Sequence, residues 1–189
     1  MNYVNPAQQP KYPGGLSLED FLQTVIVGLS QIPGPLVRPK WQAEPPKQPD
    51  ITVNWIGMAV EVISKDFDAY VAPNADGVLG LTRNQDVQIS LSIYGPAALE
   101  TYDLIGDGFM IDQNRFALFN ANIGYKDMGP ARRVPDLVNE RWVDRVETAV
   151  FLKREVQRTY PVPTIVSASG IIYVPDITPD FQLPWNVPA

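Results

Sequence analysis

The 189-residue chain reads as an α+β domain, a mostly antiparallel β-sheet with two helices packed on one face and extended proline-rich arms at both ends. Three observations point there. Segments of alternating apolar and polar residues follow one another along the middle of the chain, and two other segments carry an apolar stripe at helical spacing. The nineteen prolines avoid that middle: nine lie in residues 1–50 and six in 161–189, against four in 51–160. Proline lacks a donor N–H and fixes φ, so its excess sits where inner strands and helix interiors are absent. The expected organisation is an N-terminal arm over 1–15, one domain over 16–174 with a proline-rich strap at 36–50, and a C-terminal arm over 175–189.

Residues 1–15 read as loose or extended until something holds them. A helix then starts at Ser17, an N-cap followed three residues later by Asp20, with Leu16 and Phe21 in the positions of a hydrophobic staple. Leu18, Phe21, Leu22, Val25, Ile26 and Leu29 form one apolar stripe that must dock on something, and Ile32–Pro35 ends the helix. The stretch Trp41–Pro49 holds three prolines, a tryptophan and three Gln or Glu side chains, so it forms neither helix nor inner strand. Ile51–Ser64 is β-rich, with Ile56, Met58, Val60 and Val62 on one face. Asn74–Gly80 is turn-like. Val87, Ile89, Leu91 and Ile93 alternate with Asp86, Gln88, Ser90 and Ser92, giving the clearest strand in the chain. A second helix follows, with Pro96 at its first position and Ala98, Tyr102, Ile105 and Phe109 on one face. Phe116–Tyr125 is a weaker strand, Val143–Tyr160 a long one, and Thr164–Val174 completes the strands.

Hydrophobic residues make up 45% of the chain and charged residues 19%, a balance that suits a folded core. The net charge of −6 argues against general affinity for nucleic acid or an anionic membrane, which needs clustered cations. There is neither cysteine nor histidine. Disulfides, thiolate metal sites, the usual general bases and the Ser/His and Cys/His pairs are therefore excluded, and neither a cofactor nor a metal is expected. The longest apolar run, around Thr24–Leu29, falls far short of the roughly 20 residues that a membrane helix needs, and no targeting segment is expected.

Motifs that could carry chemistry are weak. Asp103 and Asp107 could be drawn as a carboxylate pair, but a solvated helix face explains them as well. Residues 74–77 begin like a calcium loop and lack its closing acid; 77–80 have the shape of an RNA-clamping loop without basic flanks. Arg132 and Arg133 form the one local basic point, suited to a solvated loop or an acidic partner. Trp41 and Trp185 sit in the proline-rich segments, where a lone domain offers little to bury them, and large aromatics with arginine are what interfaces use as anchors; folding back onto their own domain is the alternative.

Several blocks, in order, resemble one known family. "WQAEPPKQPDITVNWIGMAV", "FDAYV", "ISLSIYGPAALETYDLIGDGF", "QNRFALF" and "VPDLVNERWVDRVETAVFLKREVQRTYPV", closing on "SASGII", are similar to phage neck or tail terminator (tail completion) proteins over about residues 38–172. The resemblance implies a structural virion protein without catalytic residues. It implies a hexameric ring that ends the tail tube and joins it to head-completion or neck proteins, with a sheath as a further partner where the tail has one. DNA would pass through the lumen without specific binding, helped by the acidic balance, and assembly would take place in the host cytoplasm. The strap would lie across an adjacent subunit, since a stiff segment loses less entropy on docking than a glycine-rich loop; an intradomain connector is the rival. The residues expected at interfaces are Trp41, Gln42, Arg115, Arg132, Arg133 and Trp185. Two other functions fit less of the sequence: a monomeric binding module recruiting partners through its proline-rich arms, and a small hydrolase using Asp103 and Asp107.

Overall fold

The computed structural model describes residues 4–7, 10–44, 46–73, 78–138, 140–162, 168–173 and 182–187, with the backbone alone for Val138 and the last two segments. In chain order the elements are α1 (Leu18–Ser30), β1 (Val37–Pro39), β2 (Trp55–Lys65), β3 (Tyr70–Pro73), β4 (Leu79–Tyr94), α2 (Ala98–Met110) and α3 (Asp112–Phe119). They continue with β5 (Ile123–Met128), β6 (Arg132–Arg133), β7 (Asp136–Val138), β8 (Arg141–Val143), β9 (Arg145–Tyr160), β10 (Ala168–Tyr173) and β11 (Gln182–Val187). Seven strands make one sheet in the order β1-β2-β4-β9-β5, with β3 extending the line of β2 along β4 and β6 pairing with β9. Among the described residues only β1–β2 is parallel; β7–β8 and β10–β11 are separate antiparallel pairs. This is the expected α+β architecture.

The alternation along β4 does what its pattern requires. Val87, Ile89, Leu91 and Ile93 are buried and face one way, opposite Leu152, Val150, Thr148 and Val146 of β9. Ile56 and Met58 of β2 continue the same apolar surface. Helix α1 lays Phe21, Leu22 and Ile26 on it, and α2 lays Ala98, Ile105 and Phe109. Each such buried side chain contributes roughly 1.5–3 kcal/mol of gross burial energy, so this layer holds the fold together. The two helices approach closely at Gly108, where an added Cβ would lie 2.8 Å from Leu29 Cδ2.

Helix α1 begins and ends as its sequence requires. Ser17 Oγ accepts from Asp20 N–H at 3.2 Å and donates to the Asp20 carboxylate at 2.7 Å. At the other end Gln31 turns into the left-handed region (φ 59°), its N–H donating to Val27 O, before Pro33. The N-terminal arm is held by its own domain at two points. Tyr12 is buried, stacks on Phe21 with ring centroids 5.6 Å apart and accepts from Arg154 at 2.6 Å, and Ala7 N–H donates to Thr159 O.

Several local expectations shift. The strand expected from Ile51 starts at Trp55, because Asp50 Oδ1 accepts from both the N–H and the hydroxyl of Thr52 and fixes a turn. Pro96 is not the first helical residue: Ala97 N–H donates to Asn54 Oδ1, and the helix starts at Ala98. Phe116–Phe119 is helical, in α3, and the strand begins at Ile123; the aromatic cluster read as β packs only Leu118 inward. Within the segment expected to end the strands, Ala168–Tyr173 pairs with Gln182–Val187 of the C-terminal arm, outside the main sheet.

Gly95 closes the turn between β4 and α2 at φ +109°, and a Cβ there would meet Asn54 Oδ1 at 2.4 Å and Val53 O at 2.9 Å. Both the backbone angle and the crowding exclude a side chain. Gly95→Ala is expected to lower unfolding stability by roughly 1–3 kcal/mol in urea titration; an unchanged midpoint would show that the turn relaxes freely.

Candidate functional site

The two faces of the sheet differ in kind. Opposite the helices, the other face carries Trp55, Gly57, Ala59 and Glu61 on β2, Gln88, Ser90, Ser92 and Tyr94 on β4, and Arg145, Glu147, Ala149 and Phe151 on β9, in register. No described helix covers this face. The strap passes over one end of it. β1 pairs with β2 through Val37, Arg38 and Pro39, and Lys40 N–H donates to Met58 O at 2.7 Å. Beyond that the chain folds back, held by Gln42 Nε2 on Pro39 O (2.9 Å) and by Arg38 on Pro35 O (2.8 Å) and Lys47 O (3.1 Å).

Strap and sheet enclose a groove of about 530 Å³. At its floor Trp55 and Tyr94 stack face to face, centroids 4.0 Å apart, and the Arg145 guanidinium lies 5.5 Å from the Tyr94 ring. Arg145 also donates to Asp136 Oδ2 at 2.9 Å and pairs with Glu147, so one cation ties β7 to the sheet. The Arg145 hydrogen bond holds the Glu147 carboxyl below its usual range, partly opposed by burial. Burial lowers the Lys40 ammonium, which Glu147 counteracts. Tyr94 is raised, chiefly by burial. A second groove of about 380 Å³ lies beside it, bounded by Lys40, Pro130, Arg132, Ala149 and Phe151. Ser92 Oγ also donates a long hydrogen bond, 3.5 Å, to Glu147 Oε1, and the arrangement as a whole presents aromatic faces and fixed charges.

Trp41 is 72% exposed and Gln42 lines the first groove. Arg132 borders the second, with Arg133 exposed beside it on β6. Arg115 lies in the helix layer on α3, paired with Asp112, so the structure does not bring it to this face. Trp185 pairs with Gly170 within the β10–β11 ribbon; its side chain lies outside the described residues. Asp103 and Asp107 are exposed on α2 and border neither groove, and the 74–77 loop lies outside the described residues. Among the described residues no group of three or more Asp or Glu is placed to hold a metal, and no helix is long and apolar enough to cross a membrane.

Other exposed aromatics went unnoticed in the sequence. Phe67 is 96% exposed, Phe119 73% and Trp142 70%, with Leu137 exposed beside Trp142 on the β7–β8 ribbon. The signal for Phe67 was its place between Asp66 and Asp68, polar flanks that make burial costly.

One face of the sheet is closed by helices and the other is open, and a family model described as phage neck terminator protein matches residues 16–177. The chain belongs to the phage neck terminator family. It is a structural component of a phage neck, a part of the virion that contacts other tail or head proteins. No curated protein matches the chain closely enough to show a relationship.

In this neck terminator the depressed Glu147 carboxyl links stability to pH. The folded chain keeps Glu147 charged where the unfolded chain would protonate it, so its contribution is complete above the unfolded-chain value and lost as pH falls through the folded-state value. Urea titrations between about pH 7 and about pH 3 should show the gap between the native chain and Glu147→Gln closing with acid. A gap independent of pH would contradict the coupling. The effect should be modest, because the pair is partly exposed.

Proposed function

We propose that this neck terminator acts as a ring of six copies that ends the tail tube and joins the tail to the head-completion proteins, with DNA passing through the lumen. The observation that carries this reading is the set of large side chains standing in solvent: Phe119 on α3, Trp142 on β8, and Trp41 and Phe67 on the connecting segments. Scattered exposed leucines need no explanation, but displayed aromatics are what protein interfaces use as anchors. The acidic balance supports the same reading, since a net charge of −6 keeps a threaded polyanion from adhering.

The strap serves two roles in this account. Its first residues act as an edge strand of their own sheet, which fixes its position; its tryptophan faces outward, available to the next copy. A monomeric module recruiting partners through proline-rich segments is the rival, and native mass spectrometry of the purified chain, alone and with tail tubes, separates the two. Six copies per particle are expected; a chain that remains monomeric in both would overturn the ring.

Trp41→Ala is expected to weaken assembly while leaving the circular dichroism and unfolding midpoint of the dispersed subunit unchanged, because the side chain is already in solvent. Loss of the fold would show instead that Trp41 serves its own domain.

A further inference from the structure

Between β2 and β3 the chain makes a short excursion from the sheet edge. Asp66 N–H donates to Asn84 O at 3.0 Å, and the Asp66 carboxylate accepts from the Asn84 backbone N–H (3.3 Å) and side-chain amide (3.0 Å). This two-way clamp pins the base of the excursion to β4, and Phe67 projects from it almost wholly into solvent. Asp66 and Asp68 flank the ring, and among the described residues neither has a cation within 4.0 Å. An aromatic knob pinned at its base, with an acidic collar, calls for a pocket with apolar walls and a basic rim.

The second groove on the open sheet face offers apolar walls and cations at its border, over a floor that Gln88 and Ser90 make partly polar. Phe151, Ala149 and Pro130 give it apolar walls, Arg132 and Lys40 supply cations at its border, and about 380 Å³ is room for an aromatic side chain. Glu147 also borders it but is engaged by Arg145. Knob and groove are two different surfaces: the knob leaves the sheet edge between β2 and β3, and the groove lies on the open face from Lys40 of the strap across β4 and β9 to Arg132 of β6. We infer that Phe67 of one copy, with Asp66 and Asp68, enters the groove bordered by Arg132 and Lys40 on the next copy. Such a head-to-tail contact uses two different surfaces of each copy, the kind of contact that closes into rings. The inference rests on the ring proposed above and names the contact that builds it.

Charge reversal on the full-length chain tests it. Asp68→Arg cancels the knob's net charge and sets a cation against the basic groove border; Arg132→Asp cancels the border's cationic excess and sets an acid against the acidic knob. Each variant alone should need about ten-fold more protein to assemble than the native chain, since opposed like charges disfavour docking. Mixed in equal amounts, they should assemble near the native concentration as rings alternating between the two variants, because each substituted side chain then faces the opposite charge on its neighbour. Phe67→Ala should also weaken assembly with an unchanged dispersed fold. If the native chain forms rings but the single variants match it, or the mixture fails to recover, the knob and groove are not partners and the ring stands on other contacts. A native chain that stays monomeric even with tail tubes overturns both.

Discussion

The antiparallel pairing of β4 with β9, sixteen residues on each strand from Leu79 opposite Tyr160 to Tyr94 opposite Arg145, is the constraint on which the rest depends. Side chains alternate with a period of two, so a slip of one residue would turn Val87, Ile89, Leu91 and Ile93 out of the core and Gln88, Ser90 and Ser92 into it. The helices could then find no apolar surface to cover. That register also composes the open face. It lines Trp55, Tyr94 and Arg145 across three strands and sets Gly57, Ser92 and Glu147 in the row beside them, where the absent side chain at Gly57 leaves space for Lys40. Core and contact surface are two sides of one pairing.

The second consequence is a division of labour between layers. Helices α1 and α2 satisfy the apolar face within the chain, so the open face is left to polar, aromatic and charged groups that tolerate water before a partner arrives. Arg145 shows how such a face is kept in order, since it joins Tyr94, Glu147 and Asp136 and ties the β7–β8 ribbon to the sheet. Fixed aromatics lose little entropy on docking, which suits a structural protein whose work is to be held by its neighbours.

Much of the fold was legible because local pattern and tertiary burial agree. The β4 alternation, the α1 stripe with its Ser17 cap, and the α2 face formed by Ala98, Ile105 and Phe109 need only their own sequence. What was missed depends on distant partners. Asn54 shifts the start of α2 past Pro96, Asp50 delays β2, and the parallel pairing of the strap with β2 has no periodicity of its own. The short helix α3 carries an apolar cluster of which only Leu118 is buried, so its pattern resembles a strand. Of the residues expected at interfaces, Trp41 is exposed and Gln42 and Arg132 line the two grooves. Phe67 carried only the cue of its acidic neighbours Asp66 and Asp68; the clamp that pins its segment, Asp66 to Asn84, is a contact across 18 residues of sequence.

The central claim is that the displayed aromatics are covered by neighbouring proteins in the assembled neck. Oxidative footprinting of Trp41, Phe67 and Trp142 in intact particles, set against the dispersed subunit, tests it most directly. The account predicts strong protection of these side chains on assembly with little change at the core. Labelling in the particle at the rate of the free subunit would contradict it.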